Sequence, residues 1–166
     1  MKKTLLALAT ALGLGAALPA EASHMAGAYL TYTNISPNVY HVEYKLVRDC
    51  TGISPGQTQT LSFQAPGCSG ATPGQVTLQL SSTTPSTQYA SGVQTTCAIG
   101  NQSNLWDYSI TTYTGTVTLP ASCPEWIMSV RVGNRNASAN ISNGPSQWHY
   151  VEAMINNASA TANNSP

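Results

Sequence analysis

The chain is 166 residues long, with six Lys and Arg, six Asp and Glu, and a formal net charge of zero. Charged residues make up 7% of it, against about 25% in ordinary soluble domains, so Ser, Thr, Asn and Gln must carry its solubility. Six dispersed cations exclude a nucleic-acid binder that works by neutralising clustered phosphates.

The first element is an export signal in three parts. Lys2 and Lys3 supply a positive start, an apolar run follows from Leu5 to Leu18, and Pro19-Ala20-Glu21-Ala22 offers the small residues that a signal peptidase reads. The run of fourteen residues is shorter than the roughly twenty that a membrane span needs. Cleavage is expected between Ala22 and Ser23, and no later segment is apolar enough to cross a bilayer. Removing residues 1–22 leaves 144, the size of one domain with room for a core.

The strands come next. Residues 26–33 form the first. Tyr40, Val42, Tyr44 and Leu46 then alternate with His41, Glu43 and Lys45, the period-2 pattern of a strand with one buried face. Residues 58–64 form another, and Val76, Leu78 and Leu80 alternate with Thr77 and Gln79. The stretch from Trp106 to Leu119 is rich in residues that suit a pleated surface, with Gly115 expected at a bulge or bend. Trp126, Met128, Val130 and Val132 alternate with Ser129 and Arg131, and residues 147–155 form the last strand. Turn formers such as Ser36-Pro37-Asn38, Ala65-Pro66-Gly67 and Thr72-Pro73-Gly74 separate these runs. No segment keeps a 3.6-residue period. The expected fold is all-β, an Ig-like antiparallel sandwich of seven or eight strands over residues 23–156. Residues 157–166 hold no apolar side chain larger than Ala and read as a flexible tail or linker.

Four cysteines, Cys50, Cys68, Cys97 and Cys123, suit two disulfides in an exported chain. Their spacings of 18, 29 and 26 lack the close pairs of a zinc site. Three connectivities exist, and pairing neighbours as Cys50–Cys68 and Cys97–Cys123 is the expectation.

Catalytic patterns are missing. No G-x-S-x-G elbow or S-x-x-K pair occurs, the three histidines are scattered, and no two acids of the mature chain lie within five residues of each other. The expectation is a non-enzymatic module that takes no cofactor or metal. Trp126 belongs to an alternating run and reads as core. Trp106, Trp148 and Tyr150 are the candidate ligand contacts, since an indole or phenol face is a platform for a sugar ring or a protein surface. Arg48 and Asp49 read as structural residues at a strand end.

The chain resembles a family of long, repetitive, exported cell-surface proteins of gliding bacteria, which carry PKD or other Ig-like repeats and a gliding-motility-associated C-terminal sorting domain. Ser23-His24-Met25-Ala26-Gly27 resembles the family's Ser-His-x-x-Gly-Gly opening, with Ala26 a departure in a stretch where glycine is usual. Tyr44-Lys45-Leu46-Val47-Arg48-Asp49-Cys50 resembles its Tyr-Arg-Asp-Cys strand end. Tyr113-Thr114-Gly115-Thr116-Val117-Thr118-Leu119-Pro120, with Cys123 and Trp126, resembles its Tyr-x-Gly-x-Val-x-Leu-Pro…Cys…Trp block. Gly133-Asn134 stands where the family has paired cysteines, so a bridge formed by those is absent. Asn163-Asn164-Ser165-Pro166 resembles the lead into a second Ig-like domain. The resemblance implies an adhesin-like module at the cell surface or outside the cell, meeting an extracellular protein or glycan. A carbohydrate-binding module and a self-assembling structural subunit are the alternative expectations.

Overall fold

A computed structural model describes residues 25–49, 54–85, 108–133, 147–159 and 163–165. The expected signal, its cleavage point at Ala22 and Ser23, and Cys50, Cys97 and Trp106 lie outside the described residues.

Seven strands follow in chain order: β1 (Met25–Ser36), β2 (Val39–Asp49), β3 (Thr58–Gln64), β4 (Gly74–Pro85), β5 (Tyr108–Thr118), β6 (Trp126–Val132) and β7 (His149–Ile155). Each matches one strand expected from the sequence, and no helix occurs among the described residues. All pairings are antiparallel, in the order β1-β2-β5-β4-β3-β6-β7.

These strands form one sheet, not the two facing sheets expected from the sequence. The reason lies in β4. Its first half pairs with β3, its second half with β5, and only Gln79 is shared between the two ladders. A register shift between Leu80 and Ser82 turns the corner, a device that lets one strand serve both walls of a core. The sheet therefore curls until β1 and β7 meet, giving a nearly closed barrel. Gly115 is not the expected bulge, because its register with β2 runs unbroken from Tyr108 to Thr118. A Cβ there would fall 2.7 Å from Leu78 Cδ2, so the glycine lets β4 approach.

Closure stops at the β1–β7 seam. Six antiparallel steps leave strands one and seven running in the same direction, so the antiparallel ladder cannot continue across it. The Tyr32 hydroxyl bridges the gap instead, donating to the Met154 carbonyl at 2.9 Å.

The barrel has two unlike ends. At the first, Pro37-Asn38 turns β1 into β2, with Asn38 in the left-handed region at φ 62°, which Asn tolerates. Residues 119–125 cross over this end and bury Leu119 and Cys123, and Cys123 is bonded to Cys68. That bond excludes the expected pairs Cys50–Cys68 and Cys97–Cys123. The sheet order explains it: β3 and β6 are neighbours, and the loop after β3 meets the segment before β6. The core at this end is apolar, with Trp126 fully buried against Phe63 and its Nε1–H donating to the Ala121 carbonyl.

At the second end the interior turns polar. The inward row of β2 runs Val42, Tyr44, Leu46, Arg48, and its partners on β5 include Tyr113, Thr111 and Ser109. All are buried. Burial lowers the Arg48 pKa against the opposing pull of Asp49. The Tyr113 hydroxyl donates to the Gly56 carbonyl, while the hydroxyls of Tyr44, Ser109 and Thr111 have no hydrogen-bond partner among the described residues.

Candidate functional site

The outward face of the β6–β7 hairpin carries the densest exposed aromatic and apolar surface. In β7, Val151, Ala153 and Ile155 point into the barrel, so Tyr150, Glu152 and Met154 point out, with Trp148 just before the strand. Trp148, Tyr150 and Met154 are each more than half exposed, at 55%, 53% and 57%. Across the ladder, Arg131 pairs with Tyr150, Ser129 with Glu152 and Ile127 with Met154.

This row is ordered by its own contacts. The Arg131 guanidinium lies 4.6 Å from the Trp148 ring centroid, a cation–π contact that fixes the indole against β6. Trp148 also lies along Gly133, where a Cβ would be in ordinary contact at 3.8 Å. The Tyr150 hydroxyl donates to Glu152 Oε2 at 2.7 Å, and this bond raises the Tyr150 pKa and keeps the phenol neutral. The face therefore offers two oriented aromatic rings, a guanidinium and a carboxylate. Rigid amphipathic rings beside polar groups bind at low entropic cost, because little rotamer freedom is left to lose.

Trp148 and Tyr150 thus come together on one face as named contacts, with Trp106 outside the described residues. Trp126 is core. His41 lies within β2 toward the Pro37-Asn38 turn, and His149 opens β7 opposite Val132 at the other end of the barrel. Among the described residues, no three His, Cys, Asp or Glu side chains converge on a place that could hold a metal ion. Sequence reading missed Arg131 and Met154, and the signal for both was available: Arg131 is the outward residue of an alternating strand, and Met154 continues the period-2 row of Trp148 and Tyr150.

A second concavity lies at the first end of the barrel. Its volume is about 260 Å³, and Asn34, Asn38, Tyr40 and Asn157 line it. Its amides are already engaged. Asn34 Nδ2 donates to the Ser36 and Val39 carbonyls. Asn157 Nδ2 donates to Asn38 Oδ1 and to the Ala121 carbonyl, while its Oδ1 accepts from the Cys123 N–H at 2.6 Å. This is a latch that ties the exit of β7 to the hairpin and to the disulfide segment. Amides so committed have little left for a ligand, which sets the β6–β7 face ahead as the site.

No family model, no curated protein and no solved structure matches the chain.

Proposed function

We propose that the chain is an exported, non-catalytic interaction module, adhesin-like in action, whose contact surface is the outer face of β6 and β7. The observation that carries this reading is the row Trp148, Tyr150 and Met154, three large side chains left more than half exposed along β7 and the residue just before it. Single exposed apolar residues need no explanation, whereas a contiguous row rimmed by polar groups marks an interaction surface. The Cys68–Cys123 bond supports an oxidising compartment, and the three-part N-terminus supports the route to it. The resemblance to exported surface proteins of gliding bacteria points the same way.

Beads coated with the chain, presented to surfaces bearing polysaccharides and extracellular proteins, test the reading. The wild-type chain is expected to adhere to at least one surface, and Trp148→Ala/Tyr150→Ala to adhere at least tenfold less. Equal adhesion by the double variant would overturn it. A carbohydrate ligand is the second reading, favoured by the Trp148 ring held in place by Arg131. Under it, free oligosaccharide competes with adhesion and shifts the indole emission, and soluble protein does neither.

A further inference from the structure

β1 is twelve residues long, lies at the edge of the sheet, and contains no charged residue and no proline; its register shifts, at Met25/Gly27 and Asn34/Ser36, lie at its ends and leave Gly27 to Asn34 regular. Long edge strands are normally guarded by lysines, prolines, bulges or a covering segment, because their unpaired N–H and C=O groups template any passing strand. β7 runs parallel to the β1 edge and forms no ladder with it among the described residues, and the Tyr32 hydroxyl reaches the Met154 carbonyl across the seam.

Asn164 and Ser165 cover part of the β1 edge. The Ser165 N–H donates to the Tyr32 carbonyl at 3.0 Å, and the Tyr32 N–H donates to Ser165 Oγ at 2.9 Å. The Asn34 N–H donates to Asn164 Oδ1 at 2.7 Å. Asn164 beside Asn34 and Ser165 beside Tyr32 make the segment antiparallel to β1. By the same alternation, the outward backbone groups of Leu30 and Ala28 lie further along this edge, and no described residue bonds them from that side.

The covering segment holds by hydrogen bonds alone. Between the latch at Asn157 and Asn163 the chain offers only Ala, Ser and Thr, and Asn163 is anchored by one bond from its Nδ2 to the Asn156 carbonyl. Among the described residues 163–165 no side chain is apolar, so the same bonds are available to an identical segment from another molecule at no loss of burial. Exchange of identical elements between protomers is a low-cost route to association, and a head-to-tail exchange that does not close produces a filament.

We propose that the β1 edge at the seam is a strand-acceptor site, occupied in cis by residues 163–165 and in trans by the same residues of a second copy of this chain. The site uses backbone groups of Tyr32 and Asn34 and none of the side chains Trp148, Tyr150 and Met154, so Ser165→Pro and Trp148→Ala/Tyr150→Ala test the two surfaces separately.

The test uses the full chain and a fluorescent peptide spanning residues 156–166. Ser165→Pro removes the N–H that bonds the Tyr32 carbonyl, and its position after the last strand leaves the barrel to fold. In the Ser165→Pro chain the Tyr32 and Asn34 amides should exchange with deuterium at least tenfold faster, and added wild-type peptide should restore their protection. The peptide should bind this chain at least tenfold more tightly than it binds the wild type, where the cis segment competes. A peptide carrying Ser165→Pro should not bind. On sizing, the wild-type chain should form concentration-dependent dimers or longer chains that the Ser165→Pro chain does not. A wild-type chain that stays monomeric at every concentration, or a peptide that neither binds nor protects the two amides, would overturn the proposal.

Discussion

The two ends of the barrel spend their residues differently. At the first end the connections are short and fastened twice over. The Pro37-Asn38 turn accepts the Leu119 N–H, Asn157 bridges three segments, and Cys68–Cys123 joins the loop after β3 to the segment before β6. At the second end, β2, β4, β5, β6 and β7 adjoin the long connections of the sequence, and the inward side chains are Arg48, Ser109 and Thr111. The first end holds the fold. The second gives up some apolar burial and hydrogen bonding, and it displays Trp148 and Tyr150 on its flank. Loops and edges on a rigid scaffold are where binding residues concentrate, and here the rigid part is concentrated at the other end.

Substitutions can break this contrast. Trp126→Ala should have the largest effect, about 3–5 kcal/mol in urea-induced unfolding, because it empties the apolar end. Cys68→Ala/Cys123→Ala should cost roughly 2–4 kcal/mol, since the bond closes a separation of 55 residues. Asn157→Ala should cost about 1–3 kcal/mol in the same assay, having left the Cys123 N–H without its acceptor.

The polar end should respond to pH. Burial raises the Tyr44 pKa, with Tyr113 adding to the effect, and burial also raises Tyr113 itself. A phenol whose folded pKa lies above its unfolded value near 10 stays protonated in the fold while the unfolded chain ionises. Its contribution is therefore complete below pH about 10 and is lost as pH rises beyond it. Thermal melts should fall steeply above that pH. Tyr44→Phe should lie within about 1 kcal/mol of wild type near neutrality, because the hydroxyl it removes has no partner, and should show a shallower alkaline fall. Trp148→Ala should change stability least, by no more than about 0.5 kcal/mol, as befits an exposed side chain. A loss above 1 kcal/mol there would mean that the indole belongs to the scaffold.

How much of this was legible depended on the range of the interaction. The strands were legible because their signal is local: Tyr40, Val42, Tyr44 and Leu46 alternate whatever the strand pairs with. Trp126 could be assigned to the core for the same reason. The single curled sheet was not legible, because the change of partner along β4 is a long-range event marked only by Leu80 and Ser82, residues with no special preference for a bulge. The Cys68–Cys123 bond depends on β3 lying beside β6, which spacing along the chain does not encode. The latch was hidden by composition. Asn157 lies in a run of small polar residues, and its three partners lie 34, 36 and 119 residues away.

The antiparallel seating of Ser165 on β1 also bears on how the molecule would carry a load. Tension applied between Met25 and Ser165 pulls on two strands whose loaded ends point the same way. The four bonds to the segment, three at Ser165 and one at Asn164, then open from the Ser165 end, like a zip, and do not resist together in shear. The segment peels first, at low force, while the disulfide and the Asn157 latch at the far end remain unloaded. In a tethered molecule, stretching would uncover the β1 edge before it threatened the barrel.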